Sequence, residues 1–215
     1  QRGELNGTYH PFLDTFDAGL DPVRLAFIAW QKARVGLERQ AREDLVRLDA
    51  ETSIPALAFA LLTRLELGDT GKRARDVALT LIEAIDAHGR FDLGEGADDA
   101  DFDYAPGQAL LALNAALEAG VVTDPWSVVP RALDWSLRRY RLNHSFGAGP
   151  WLMQALTAFG RHADAREIAD ETLRFQSKLD GAFLTGQQDD CPGCTSVVPL
   201  EGLAVPGPRS AIANH

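Results

Sequence analysis

Carboxylate side chains are concentrated in the segment from Gly89 to Leu113. This segment opens with a Gly-x-Phe step, continues through closely spaced acids and ends in a proline that precedes an Ala- and Leu-rich stretch. Crowded carboxylates repel one another, so one can stay protonated beside an ionised neighbour, and glycoside hydrolysis uses such a pair. The same oxygens could hold Ca²⁺ in the loop Asp92–Asp103, although no EF-hand ladder is present. A solvated acidic loop is the alternative. The acids are Asp92, Glu95, Asp98, Asp99, Asp101 and Asp103.

A second segment that could carry chemistry is the Cys-Pro-Gly-Cys step formed by Cys191 and Cys194. Such a step could be a small disulfide loop, a pair of free thiols, a redox pair or half of a zinc site. No histidine has ligand spacing to the pair, and the sequence does not predict the strand and helix that flank a thioredoxin-like motif. We favour a loop-closing disulfide, which favours an extracytoplasmic location without fixing it.

Composition excludes several classes of protein. The chain has 215 residues, of which 46% are hydrophobic and 24% charged, as expected of one globular domain with a sizeable core. Its net charge of −10 disfavours nucleic acid as a partner, because such binding requires a basic face. Apolar runs are too short to predict a membrane span, and P-loop, GxSxG, HExxH and GxGxxG motifs are absent. The chain begins at Gln1 without a methionine, so we expect a processed chain or a piece of a longer one.

The acidic side chains and the two cysteines must be positioned by helices. Apolar residues recur at three- and four-residue spacing, and strand patterns are nearly absent. Asp21 followed by Pro22 predicts a helix start, and Gly36 predicts a break in that helix. Later in the chain, Pro130 predicts that a helix begins firmly only after it. The sequence therefore divides into a lead-in arm at 1–21, a helical-hairpin repeat domain at 22–205 and a tail at 206–215.

The hairpins are predicted near residues 55–105, 106–149 and 150–198, with the start of another at 199. Each opens on a proline, which presets φ at a helix start where its missing donor is not needed. The second helix of each hairpin is predicted to end in a related phrase, such as His88-Gly89 or Asn143-His144. In the Gly-x-Phe version we expect a left-handed glycine and a buried phenylalanine that fixes the loop. A unit that recurs every roughly 45 to 50 residues indicates an all-α repeat array. The prolines are Pro55, Pro106, Pro150 and Pro199.

Three segments carry a resemblance to a known group of folds: FDYAPGQALLAL (102–113), GPWLMQAL (149–156) and PLEGLA (199–204). They resemble the inner-helix starts of (α/α) toroids, the group that includes six-hairpin glycosidases, sugar epimerases and lyases, and terpenoid-cyclase-like barrels. The resemblance covers about Ala26 to Ala204 and implies a partial (α/α) toroid or curved solenoid. Such rings close with six or seven hairpins, whereas this chain has three full pairs and partial ones at each end. The resemblance therefore implies a fragment, or an incomplete ring that a second protein chain completes.

In such a ring the loops before the inner helices gather over a central funnel, whose mouth would be acidic here. The resemblance implies a domain that binds or processes a small saccharide. From the residues themselves we predict no metal site and no cofactor, with Ca²⁺ at the loop Asp92–Asp103 as the alternative. The alternative is a non-catalytic scaffold or subunit that packs against another chain. Gln108, Gln154 and Glu201 lie near helix starts and could instead cap their own helices. Trp151 could instead be a core residue. The expected catalytic residues are Asp101, Asp103 and Glu201, and the expected substrate-binding residues are Tyr104, Gln108, Trp151 and Gln154.

Overall fold

The computed structural model describes residues 9–10, 15–16, 21–124, 127–145 and 147–176. Cys191, Cys194 and Glu201 lie outside the described residues, as do the hairpin start predicted at 199 and the tail 206–215. The side chain of Asp99 is also outside the description, although its backbone is helical.

Helices make up almost all of the described secondary structure, which confirms the all-α prediction. A pair of two-residue antiparallel strands, β1 (Tyr9–His10) and β2 (Thr15–Phe16), lies within the predicted lead-in arm. The described residues contain eight helices: α1 (Pro22–Arg34), α2 (Glu38–Arg47), α3 (Ile54–Glu66), α4 (Lys72–Glu83), α5 (Asp99–Glu118), α6 (Val128–Asn143), α7 (Ala148–Ala158) and α8 (His162–Arg174).

The start of α1 and the break after it lie where the sequence predicts. The Asp21 carboxylate accepts a hydrogen bond of 3.0 Å from the Val23 N–H, and Pro22 occupies the first position of α1. Gly36 has φ +80° and separates α1 from α2. A left-handed glycine is the usual way to stop a helix without the steric cost that a Cβ would bring.

Three predicted helix boundaries are wrong, namely the starts of α5 and α6 and the end of α4. α5 begins at Asp99, seven residues before Pro106, because Asp98 and Asp101 form a capping box that starts the helix within the acidic segment. α6 begins at Val128, before Pro130, because the carboxylate of Asp124 accepts hydrogen bonds from the first backbone N–H groups of the helix. Pro130 then lies in the first turn, where a missing donor costs nothing.

The third difference concerns α4, which ends at Glu83 rather than at His88-Gly89. The chain then forms a short turn in which Ile85 and Phe91 pair as an isolated bridge. Gly89 has φ +86° and Phe91 is fully buried, as predicted for the Gly-x-Phe step, but Gly89 does not end a helix because α4 ends six residues earlier.

The odd-numbered helices pack against one another in chain order, α1 on α3, α3 on α5 and α5 on α7. Each even-numbered helix packs on the odd-numbered helices that flank it in sequence, with α2 on α1 and α3, and α8 on α7. α3 is the most completely buried helix, since every residue from Ala56 to Thr63 is buried. Within the described part of the chain, no helix is both long and apolar enough to cross a membrane.

Aromatic side chains fill the space between α1, α3 and α7. The ring of Trp151 on α7 lies 5.3 Å from Phe59 of α3 and 6.3 Å from Phe27 of α1, both edge-on. Trp30 stacks on Phe59 at 5.7 Å. We call Phe27, Trp30, Phe59 and Trp151 the aromatic cluster.

Candidate functional site

The turn between α4 and α5 is built on the side chain of Asp86. Its carboxylate accepts hydrogen bonds from the backbone N–H groups of His88 and Arg90, at 2.8 and 2.9 Å. The bond from the Arg90 N–H is the main cause that holds the pKa of Asp86 below its ordinary value. The Cα of Gly89 lies against the backbone of α6, where an added Cβ would come within 2.5 Å of the Arg131 carbonyl oxygen. These contacts fix the position of Arg90 beside α6.

Phe102, on the second turn of α5, organises the cationic side chains around it. The guanidinium of Arg90 lies 4.6 Å from the centre of the Phe102 ring, and that of Arg139 on α6 lies 5.6 Å from it. The indole of Trp135 is tilted against the same ring at 6.2 Å. A cation over an aromatic face is held by the ring quadrupole, so both guanidiniums have a preferred position beside Phe102.

These side chains line one open cleft between α5 and α6, which we call the α5–α6 cleft. It is lined by Arg90, Ala97, Asp98, Phe102, Trp135 and Arg139. Trp135 is half-buried, so part of the indole remains exposed, and the guanidinium of Arg90 is exposed. The cleft therefore combines an aromatic surface, two cations and one carboxylate.

Asp103 lies next to this cleft and ties three helices together. One carboxylate oxygen is 3.4 Å from the Arg139 guanidinium, and the other accepts a short hydrogen bond from the Ser145 hydroxyl. Ser145 in turn accepts a hydrogen bond from the Gly147 N–H at the start of α7. The carboxylate is only 19% exposed. Asp103 thus fixes the turn between α6 and α7 against α5, through contacts that already use both of its oxygens.

Asp101 has a different environment from Asp103. It is exposed, and its carboxylate accepts a 3.0 Å hydrogen bond from the Asp98 N–H in the capping box. Residues two apart on a helix point in different directions, so Asp101 and Asp103 do not face a common gap. The structure therefore places these two expected catalytic carboxylates on separate sides of α5.

The expected substrate-binding residues are also divided between surface and core. Tyr104 is 47% exposed, and its ring lies so close to Gly147 that an added Cβ there would be 2.8 Å from the Tyr104 Cζ. Gln108 is only 6% exposed, and its Oε1 accepts no hydrogen bond from any described residue. Trp151 belongs to the aromatic cluster and is buried, whereas Gln154 donates a 3.3 Å hydrogen bond to the Pro150 carbonyl of its own helix.

The acidic segment forms local backbone contacts within the described residues. Asp92 accepts a hydrogen bond from the Gly94 N–H, and Asp98 accepts one from the Asp101 N–H. Among the described residues, no group of three or more His, Cys, Asp or Glu side chains is arranged to hold a metal ion.

The sequence-based site set omits Arg90, Trp135 and Arg139. One signal could have found two of them, since Trp135 and Arg139 are four residues apart on α6. Asp98 and Phe102 have the same spacing at the start of α5, but no such pattern marks Arg90. Residues at that spacing share a helix face. The sequence alone does not show that these faces of α5 and α6 meet, because that depends on how the two helices pack.

Comparisons with protein-family models, with curated proteins and with solved structures found no match for this chain.

Proposed function

We propose that this chain is a saccharide-binding domain whose ligand lies in the α5–α6 cleft and carries a carboxylate. The observation that carries the proposal is that Trp135, Phe102, Arg90 and Arg139 line one open cleft. The exposed part of the half-buried Trp135 indole offers an apolar surface for the C–H face of a sugar ring. Guanidinium groups bind carboxylates through two parallel hydrogen bonds, and stacking on Phe102 keeps them oriented for that geometry.

Arg90 is the residue best placed to bind the ligand carboxylate. Its backbone is fixed by Asp86, and its guanidinium lies over Phe102 at the exposed side of the cleft. Arg139 is half-buried and forms an ion pair with Asp103, so it positions the inner side of the cleft. The protein carries a net charge of −10, which opposes long polyanions, whereas a carboxylate of a short saccharide is attracted over short distances by these two cations.

The geometry supports binding in preference to turnover. Asp101 takes part in the capping box, and Asp103 bonds Arg139 and Ser145. A glycosidase requires two carboxylates that face the same glycosidic bond across a gap of about 5 to 10 Å. The positions of Asp101 and Asp103 on α5 do not favour such a pair, and the cleft itself contributes only Asp98.

We further infer that the described helices belong to a curved two-layer array of hairpins, with the odd-numbered helices inside and the even-numbered helices outside. The packing of α1, α3, α5 and α7 in chain order supports this inference. The early prolines of three of these four helices, α1, α3 and α7, support it too, because they mark the same end of each helix. An array of this kind would place the α5–α6 cleft at one end of a hairpin, where connecting segments meet.

Binding of short saccharides to the full-length chain tests the proposal. We expect trigalacturonate to quench the tryptophan fluorescence and to bind by titration calorimetry, and an uncharged trisaccharide such as maltotriose to bind at least about tenfold more weakly. Trp135→Ala and Arg90→Ala should each weaken binding by about tenfold or more. Arg75→Ala is the matched control, because Arg75 is an exposed arginine on α4 outside the cleft.

Two results would contradict the proposal. The first is the absence of binding to acidic and neutral saccharides alike. The second is trigalacturonate binding that Trp135→Ala and Arg90→Ala leave unchanged, since the ligand would then lie elsewhere on the chain.

A further inference from the structure

The α5–α6 cleft is lined by charges of both signs, and the protein itself neutralises only the inner ones. Arg139 and Asp103 form an ion pair at 3.4 Å, and their side chains are only 20% and 19% exposed. Arg90 and Asp98 are exposed on the wall of the cleft, and neither forms an ion pair with another side chain of the described residues. The cleft therefore offers a ligand one cation and one carboxylate.

The carboxylate of Asp98 is held in place and has one oxygen left for a ligand. Its Oδ1 accepts a 3.0 Å hydrogen bond from the Asp101 N–H, and the Asp98 N–H donates to the Asp101 carboxylate in return. These two bonds fix Asp98 at the N-cap of α5. Its Oδ2 accepts no hydrogen bond from the part of the chain that the structure describes, so this oxygen is available as an acceptor at the cleft.

Two further features favour a ligand cation beside Asp98. The indole of Trp135 lines the same cleft, and tryptophan is the aromatic side chain that attracts cations most strongly. The net charge of −10 also attracts a cation and repels a second carboxylate. An ammonium group is thus favoured near Asp98 and Trp135, whereas a carboxylate is favoured near Arg90.

We propose that the ligand of the α5–α6 cleft is an amino sugar acid, with one ammonium group that binds Asp98 and one carboxylate that binds Arg90. This inference rests on the proposed function, which supplies the sugar ring and the carboxylate, and it adds the amine and its partner. The ammonium donates a charge-assisted hydrogen bond to Asp98 Oδ2. The same oxygen repels a second carboxylate, so Asp98 selects against saccharides that carry several acids.

Muramic acid and N-acetylmuramic acid are the probes that test for the amine. Both have a sugar ring and one carboxylate, but the first has a free amine where the second has an uncharged amide. At about pH 6 the amine is protonated. We expect muramic acid to bind the full-length chain about threefold or more tightly than its N-acetyl form, as measured by tryptophan fluorescence and titration calorimetry.

Asp98→Asn tests the assigned partner, because asparagine caps a helix about as well as aspartate and only the charge is lost. This variant should weaken the binding of muramic acid by about threefold or more. It should strengthen the binding of trigalacturonate by about twofold or more, because the repulsion of its carboxylates is removed. A variant that merely disturbed the cleft would weaken both ligands. Asp170→Asn is the matched control, since Asp170 is exposed on α8 outside the cleft and should leave both affinities unchanged.

The proposal is overturned if muramic acid binds no more tightly than N-acetylmuramic acid. It is also overturned if Asp98→Asn shifts the affinities for muramic acid and trigalacturonate in the same direction, or if Asp170→Asn has the same effects as Asp98→Asn. These failures differ from a failure of the proposed function. In the former the acidic saccharides still bind in a manner that depends on Arg90 and Trp135, whereas in the latter they do not.

Discussion

Trp151 and Trp135 lie on neighbouring helices, α7 and α6, and they have opposite surroundings. Trp151 is 7% exposed and packs edge-on against Phe59 and Phe27, so both faces of its indole are occupied by the protein. Trp135 is half-buried and contacts Phe102 alone among the aromatic rings of the described residues, beside two guanidiniums. The aromatic cluster therefore holds the odd-numbered helices together, whereas the Trp135 region leaves aromatic surface available to a ligand.

This difference shows that aromatic residue type alone does not locate a binding surface. A tryptophan beside a helix-start proline, such as Trp151, lies where three helices converge and is covered by all of them. A tryptophan in the middle of α6, such as Trp135, packs against Phe102 and stays partly exposed. The number of helices that meet at a side chain decides whether it stabilises the fold or remains open to a ligand.

Replacing each tryptophan by alanine should give the largest difference in the free energy of unfolding between the two regions. Trp151→Ala should lower the free energy of unfolding by about 3 to 5 kcal/mol, because it leaves a cavity among Phe27, Phe59 and the Gly107 backbone. Trp135→Ala should cost about 1 kcal/mol, since its ring is partly solvated already. Urea denaturation followed by circular dichroism measures both. Equal losses would mean that Trp135 is as much a core residue as Trp151.

Two glycines test how closely the helices around the aromatic cluster pack. An added Cβ at Gly107 on α5 would lie 2.7 Å from the Cβ of Trp151 and 2.9 Å from its carbonyl carbon. Gly107→Ala should therefore destabilise the fold by about 1 to 3 kcal/mol, because α5 and α7 would have to separate. At Gly149 on α7 the nearest atom would be Ile168 Cγ2 at 3.6 Å, an ordinary contact.

Gly149→Ala is thus the control, and we expect it to be neutral or to stabilise the helix by up to about 1 kcal/mol. Thermal unfolding of the two variants measures the difference. If Gly107→Ala were as stable as Gly149→Ala, the close contact between α5 and α7 at Trp151 would be incorrect.

The smallest expected effect on stability concerns Tyr140, which lies on α6 like Trp135 and is buried like Trp151. Burial raises the pKa of its hydroxyl to about 12, and hydrogen bonding to Thr172 opposes that shift only partly. The folded state thus keeps a proton that the unfolded chain releases near pH 10. The contribution of Tyr140 to stability is complete below about pH 10 and is lost as the pH rises towards 12.

Unfolding midpoints measured between pH 9 and 11.5 should therefore fall less steeply in Tyr140→Phe than in the unmodified chain. Tyr104→Phe serves as the matched control, because Tyr104 is 47% exposed and should leave the pH dependence unchanged. Identical pH profiles for Tyr140→Phe and the unmodified chain would contradict the burial of this hydroxyl.

Much of the fold can be predicted from local sequence signals. The Asp21–Pro22 start of α1, the break at Gly36 and the buried Phe91 of the Gly-x-Phe step all follow from single residues with a defined conformational effect. The helix starts that were predicted at Pro106 and after Pro130 were wrong for one reason. In both cases an upstream carboxylate, Asp98 or Asp124, satisfies backbone donors and starts the helix before the proline.

The candidate site could be predicted only in part. The sequence indicated that the segment from Asp92 to Asp103 was unusual, and this segment does border the α5–α6 cleft through Asp98 and Phe102. It did not indicate that Asp103 would bond Ser145 and Arg139, which are 42 and 36 residues away. Contacts over such distances depend on how whole helices pack, and no local pattern encodes them.

By itself, the sequence determined that the described chain is helical, since helix periodicity, caps and glycine stops are properties of short segments. It also determined the acidic balance of the chain and the alternating charges along α2. Only the tertiary structure decided which tryptophan became core and which lined a cleft. Burial is a property of how many elements converge on a side chain, and that number is set when α1, α3, α5 and α7 pack together.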